Sequence, residues 1–108
     1  MPDGTLAVNT WKLVGGIWYY FNAEGNRTRG WFQYGGKWYY FDGNGYMKTG
    51  WVNTGNGTWY YLNPDGDMKI GWLYDKNIWY YLNNDGSMAV NRSQDGWYLG
   101  ADGAGRKE

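Results

Sequence analysis

The residues of this chain that could do chemistry are aromatic. Nine Trp and 12 Tyr stand among 108 residues, with no Cys and no His. The tryptophans come in pairs seven or eight positions apart: Trp11 with Trp18, Trp31 with Trp38, Trp51 with Trp59, and Trp72 with Trp79. The second member of each pair opens a Trp-Tyr-Tyr step. Two indoles on one face with a phenol beside them make an electron-rich concavity. Ring quadrupoles attract a cation over their faces, by about 2 kcal/mol when the contact is desolvated. A quaternary ammonium suits such a box, because it is cationic yet donates no N–H hydrogen bond and so needs no acidic partner.

Other chemistries are poorly supplied. Without Cys there is no disulfide framework, thiolate nucleophile or Cys-type zinc site. Without His the commonest general base and transition-metal ligand are both missing. The acids, among them Glu24, Asp65, Asp67 and Asp85, fall in turn or loop positions repeated along the chain. Solvated turn chemistry accounts for them, and nothing singles out the carboxylate pair that glycoside hydrolysis needs. The expectation is a binding module and no enzyme, with neither cofactor nor metal.

Ten basic residues balance ten acidic ones, so no net field draws the chain to nucleic acid or an anionic membrane. Stacking platforms for nucleic acid accompany a basic groove, whereas Lys12, Lys37, Lys48 and Lys69 are spread one per repeat. No apolar run approaches the ~20 residues of a membrane span. The opening Met1-Pro2-Asp3-Gly4 lacks the basic and apolar regions of a signal peptide, so the chain reads as a processed fragment.

The elements that must position these rings follow from a repeat. Trp18-Tyr19-Tyr20-Phe21 returns as Trp38-Tyr39-Tyr40-Phe41, Trp59-Tyr60-Tyr61-Leu62 and Trp79-Tyr80-Tyr81-Leu82, at spacings of 20, 21 and 20. Units begin near 11, 31, 51 and 72, with worn versions at 3–10 and 92–103, and the whole of 1–108 reads as one repeat domain. In the worn C-terminal unit Trp97-Tyr98-Leu99 puts Tyr98 at the place of Tyr61 and Tyr81, and Asn91-Arg92 replaces the leading Gly-Trp. A polar terminal unit is what an array needs to cap its open end.

Within a unit, Trp31-Phe32-Gln33-Tyr34 and Lys37-Trp38-Tyr39-Tyr40-Phe41 are rich in strand formers and separated by Gly35-Gly36, a two-residue turn tolerant of positive φ. That predicts a β-hairpin with Trp31 opposite Tyr40 and Gln33 opposite Trp38. Side chains alternate faces along a strand, so Trp31, Trp38 and Tyr40 share one face while Phe32, Tyr39 and Phe41 share the other. A hairpin that is apolar on both faces must stack on its neighbours. Tyr19, Tyr39, Tyr60, Tyr80, Phe21, Phe32 and Phe41 are the expected core. Met47, Met68 and Met88 recur at one loop position, where a flexible thioether can fill the gap beneath a ring.

The full unit is a Gly-Trp step, Trp-Tyr-Tyr with Phe or Leu, a polar loop closed by Gly, and x-Met-x-x-Gly-Trp. It resembles the choline-binding (cell-wall-binding) repeats of pneumococcal-type surface proteins, autolysins and phage lysins, over roughly residues 3 to 103. The resemblance implies an all-β fold, a left-handed solenoid of stacked β-hairpins with about 20 residues per repeat. It also implies a secreted module held non-covalently on the bacterial cell wall by phosphocholine of teichoic and lipoteichoic acids.

In such modules choline sits between consecutive hairpins, against both tryptophans of one repeat, the last Tyr of the next Trp-Tyr-Tyr and the intervening Met. Carried over, that implies three cages: Trp31, Trp38, Met47 and Tyr61; Trp51, Trp59, Met68 and Tyr81; and Trp72, Trp79, Met88 and Tyr98. An N-terminal cage would use Trp11, Trp18 and Tyr40, but Arg27 stands at the methionine's place, where a guanidinium repels the ligand or fills the cage itself. The alternative reading is a glucan-type carbohydrate-binding repeat, since aromatic platforms also stack on sugar rings. A third is the targeting domain of a wall hydrolase whose catalytic domain lies elsewhere. Pairing of two copies through a terminal hairpin is a further expectation, with Trp97-Tyr98 as the exposed aromatic end.

Overall fold

The computed structural model describes residues 8–55 and 57–108; most of the worn N-terminal unit, residues 3–7, lies outside them. Ten of its strands form five successive hairpins. They are β1 (Thr10–Val14) with β2 (Ile17–Phe21), β3 (Gly30–Tyr34) with β4 (Lys37–Phe41), β5 (Gly50–Asn53) with β6 (Trp59–Leu62), β7 (Gly71–Asp75) with β8 (Ile78–Leu82), and β9 (Arg92–Gln94) with β10 (Trp97–Leu99). β11 (Gly105–Lys107) adds a third strand to the last of these. The chain groups into two compact units, one ending at Lys48 and the other running from Thr49 to Glu108. Each is described by itself.

Turn chemistry sets the register. Gly35 and Gly36 have φ of 59° and 81°, and Lys76 and Asn77 have 50° and 70°. Positive φ at both central residues is the tight hairpin turn whose twist matches that of its strands. The register then runs as expected, with Trp31 opposite Tyr40, Phe32 opposite Tyr39 and Gln33 opposite Trp38. In the third hairpin Asn53 Oδ1 accepts the Gly55 N–H at 2.8 Å, and a longer loop replaces the two-residue turn.

Each hairpin carries a further short segment that the pattern did not predict. The residue after Phe or Leu holds the loop: Asp42 Oδ1 accepts the N–H groups of Asn44 and Tyr46 at 2.9 and 3.0 Å, and Asn22 Oδ1 those of Glu24 and Asn26 at 3.0 Å each. The chain then turns back beside the second strand, in single bridges between Phe41 and Met47, Leu62 and Met68, and Leu82 and Met88. In the last repeat this segment lengthens into β11, with Gly105 opposite Leu99.

The core is narrower than the aromatic content suggests. Phe41, Leu62, Leu82 and Leu99 are fully buried, all at the fourth position of their repeat. Tyr19 is buried too, but Tyr39, Tyr60, Tyr80, Phe21 and Phe32 are half-buried. Their second faces meet solvent or a seam, because a two-stranded ribbon has no third layer to cover them.

Candidate functional site

The four exposed tryptophans are the second members of the pairs: Trp18, Trp38, Trp59 and Trp79 keep 37–40% of their surface open. Their partners Trp11, Trp31, Trp51 and Trp72 are half-buried. Within a hairpin the pair meets edge to face, Trp51 with Trp59 at 6.5 Å and Trp72 with Trp79 at 6.2 Å between ring centroids. The last Tyr lies on that same face, Tyr61 at 5.2 Å from Trp51 and Tyr81 at 5.1 Å from Trp72.

In the second unit a cavity of about 260 Å³ is lined by Trp51, Trp59, Tyr80, Met88 and Asp102. Tyr80 comes from the next hairpin and brings its ring to 4.9 Å from Trp51. Met88 is tied in through its backbone, whose N–H donates to the Trp59 carbonyl at 2.8 Å. The Trp51 indole N–H donates to Asp75 Oδ2 at 3.1 Å, fixing the ring against the following hairpin. Burial first, and then the charges of Asp75 and Asp102, push the Tyr80 phenol above its ordinary pKa.

Of the expected set Trp51, Trp59, Met68 and Tyr81, the two tryptophans line this cavity. Tyr81 belongs to the Trp face of its own hairpin, and alternation along β8 turns Tyr80 toward Trp51 instead. Met68 packs against Gly86, where a Cβ would collide with its sulfur, and the methionine that reaches the cavity is one repeat further on.

A second cavity, of about 310 Å³, is lined by Trp72, Trp79 and Trp97. Trp97 lies 6.1 and 6.5 Å from the other two indoles and stands at the place of Tyr80. The expected Met88 and Tyr98 are both elsewhere. Met88 lines the neighbouring cage, and Tyr98, 43% exposed, lines a separate concavity of about 480 Å³ with Asp102 and Arg106. Gly105 stands where Met88 does in the previous repeat, close against the Trp79 carbonyl and the Trp97 ring. Trp97 is therefore part of a cage, which leaves Tyr98 alone as the exposed aromatic of the terminal hairpin. The register also puts Arg92 opposite Leu99, at the place of Gly71 opposite Leu82, so Ser93 takes the leading Trp's position.

The first unit repeats the rule. Trp11 meets Trp18 at 6.3 Å and Tyr39 of the next hairpin at 5.0 Å, and the Met47 N–H donates to the Trp18 carbonyl at 3.1 Å. Tyr40, expected here, lies 5.0 Å from Trp31 on its own hairpin. Arg27 is likewise not in this cage: its guanidinium sits 4.8 Å over Tyr19 and donates to the Asn44 carbonyl at 3.2 Å. Of the expected set Trp31, Trp38, Met47 and Tyr61, the first three belong to the first unit and Tyr61 to the second. Inside their own units Met47 is bonded to Trp18 and Tyr61 lies on Trp51.

Tyr39, Tyr80, Trp97 and Asp102 stand beside the paired indoles, a place the repeat pattern had not given them. The signal for the first three was present in the alternation of faces, which already set the middle Tyr opposite to the last.

The profile of the choline-binding repeat matches residues 8–50, 29–71 and 48–93. Among solved structures, CbpJ of Streptococcus pneumoniae is 44% identical with a TM-score of 0.83, over 89% of this chain and 35% of that one. Choline binding protein F of the same species, crystallised in the presence of a peptidoglycan analogue, is 42% identical with a TM-score of 0.84, over 92% of this chain and 33% of its own. The modular autolysin LytC of S. pneumoniae is 33% identical with a TM-score of 0.81, over 96% and 24%. This chain thus spans about a third or less of the length of these proteins. No curated protein sequence matches it. Stacked rings, loop methionine and repeat profile agree: the chain belongs to the choline-binding repeat family, a family of binding modules.

Proposed function

We propose that this chain attaches its protein, non-covalently and without chemistry of its own, to phosphocholine on the teichoic and lipoteichoic acids of a bacterial cell wall. The observation that carries the reading is the cavity in which Trp51, Trp59 and Tyr80 present ring faces and edges to one small space beside Met88. Such a box favours a methylated ammonium by cation–π attraction and by burying its methyl groups. The ligand is choline or phosphocholine, and no cofactor is involved. One cage makes few contacts and binds weakly. Several cages on a polymer bearing many cholines gain through effective concentration. The module therefore works on the outer surface of the cell, where that polymer is displayed. Tyr98 on the terminal hairpin is the aromatic that would meet a second copy if the module pairs there.

Choline titration tests this against the glucan alternative. Choline at 100 times its Kd should stabilise the fold by about 2.7 kcal/mol through linkage, raising Tm and shifting the tryptophan fluorescence. A dextran oligomer should do neither. A saturable response to dextran with none to choline would replace this reading by the sugar-binding one.

A further inference from the structure

The fifth hairpin keeps the tyrosine of the Trp face and loses both indoles. Aligned on the buried Leu82 and Leu99, Tyr98 stands at the place of Tyr81, Ser93 at that of Trp72 and Gly96 at that of Trp79. β11 brings a new residue to this face. Arg106 pairs with Tyr98 across the ladder, so Ser93, Tyr98 and Arg106 form one row over three strands. Tyr98 and Arg106 line the concavity of about 480 Å³ together with Ala101, Asp102 and Ala104. Among the described residues the Arg106 side chain has no hydrogen bond or ion pair, whereas Glu108, two positions on, accepts the Ser93 hydroxyl at 2.6 Å. Asp102 Oδ1 accepts the Ala104 N–H at 3.0 Å, which holds the carboxylate in place and leaves Oδ2 open.

These groups suit neither a small cation nor a small anion. A guanidinium beside a single ring disfavours an ammonium, and Asp102 disfavours a phosphate. An exposed ring face flanked by a donor-only fork and an acceptor-only carboxylate fits a neutral ligand with one flat apolar face and polar groups at its rim. We propose that the Tyr98–Arg106 concavity binds a 2-acetamido sugar, one ring of a glycan, as a site separate from the aromatic cages. The C–H face of the pyranose lies on Tyr98. The acetamido carbonyl accepts from Arg106, its N–H donates to Asp102, and its methyl group meets Ala101 and Ala104. A plain hexose offers the ring face without that carbonyl, amide and methyl, so the acetamido form is preferred. The inference stands apart from the choline reading. The site is shallow and its ligand small, so affinity is low.

The experiment titrates N,N′-diacetylchitobiose into the full chain at pH 7, with cellobiose as its counterpart lacking the acetamido groups. The methyl resonances of Ala101 and Ala104 and the Arg106 Nε–H report the site. The acetylated disaccharide should move them saturably with a Kd of about 1 mM or weaker, and cellobiose should bind about tenfold more weakly. Tyr98→Leu keeps apolar bulk and removes the flat face, and Arg106→Met keeps the stem and removes the donors. Each should weaken the acetylated disaccharide about fivefold, with the Trp59 and Trp79 indole resonances where they stand in the parent chain. Equal response to the two disaccharides, no saturable shift, or a shift that neither substitution weakens overturns the proposal. If the same resonances move with protein concentration alone, a second copy fills the concavity and the sugar proposal falls. Choline is titrated separately, and its failure to move the indoles would sink the anchoring reading alone.

Discussion

The Trp51–Trp59 and Trp72–Trp79 cages begin from the same pair of indoles and end as different sites. The first receives Tyr80 from the next hairpin, Met88 from that hairpin's loop, and Asp102 from the loop after it. The second receives Trp97, and Gly105 stands at the methionine's place. A cage of this kind is therefore not a property of one repeat. Each is completed by the repeats that follow it in the chain.

That dependence is strongest at Leu99, the fully buried residue that pins the terminal hairpin. Leu99→Ala should cost about 2–5 kcal/mol by urea denaturation, as cavity-forming core truncations do. Trp97 then loses its platform, so the Trp79 indole should stop responding to choline while Trp59 still responds. A parallel loss at both would show that the two cages stand or fall together.

The next effect separates the two tyrosines of β8. Tyr80 faces the Trp51–Trp59 cage and Tyr81 faces Trp72. Tyr80→Leu should weaken choline at Trp59 by about 2 kcal/mol, the worth of a desolvated ring contact, and spare Trp79. Tyr81→Leu should spare Trp59 and touch the Trp79 response only through the packing of Trp72, a smaller effect. Leucine keeps apolar packing in both, and site-resolved chemical-shift titration reads each cage. If Tyr81→Leu struck the Trp59 response, the seam geometry would be wrong.

Much of this was legible in the chain because it is local. Paired glycines at Gly35-Gly36 demand a tight turn, the turn fixes the register, and the register fixes which rings share a face. The structure's pairing across a seam turns on the next step. Trp31, Trp38 and Tyr40 on one face leave the middle Tyr for the opposite face, and it is Tyr39 and Tyr80 that approach Trp11 and Trp51 of the preceding hairpins. The reach of Met88 and Asp102 was not legible, since it depends on the loop segments bridging back beside each second strand. Those bridges are backbone hydrogen bonds, which leave little mark on residue types. Nor did composition show that Leu62, Leu82 and Leu99 hold the centre while most of the Tyr rings are only half-covered.

The smallest effect concerns how the simpler cage holds its leading indole. Trp72 Nε1 donates to Asp95 Oδ2 at 3.1 Å, in the terminal turn. The Gln94 side chain, and then this indole, hold the Asp95 carboxyl below its ordinary pKa. A group whose pKa is lowered by folding stabilises the fold at any pH above its unfolded value, about 3.9 for Asp. That contribution fades as pH falls through the lower folded value. The Trp72 indole N–H resonance should thus stay fixed on acidification to about pH 4 and move only below it. Asp95 is exposed, so the effect on overall stability is slight. Asp95→Asn should remove the acid-limb step without disturbing the turn, because Asn tolerates the φ of 54° that Asp95 adopts. A midpoint at or above the ordinary carboxylate value would mean that the indole is held by something other than this carboxylate.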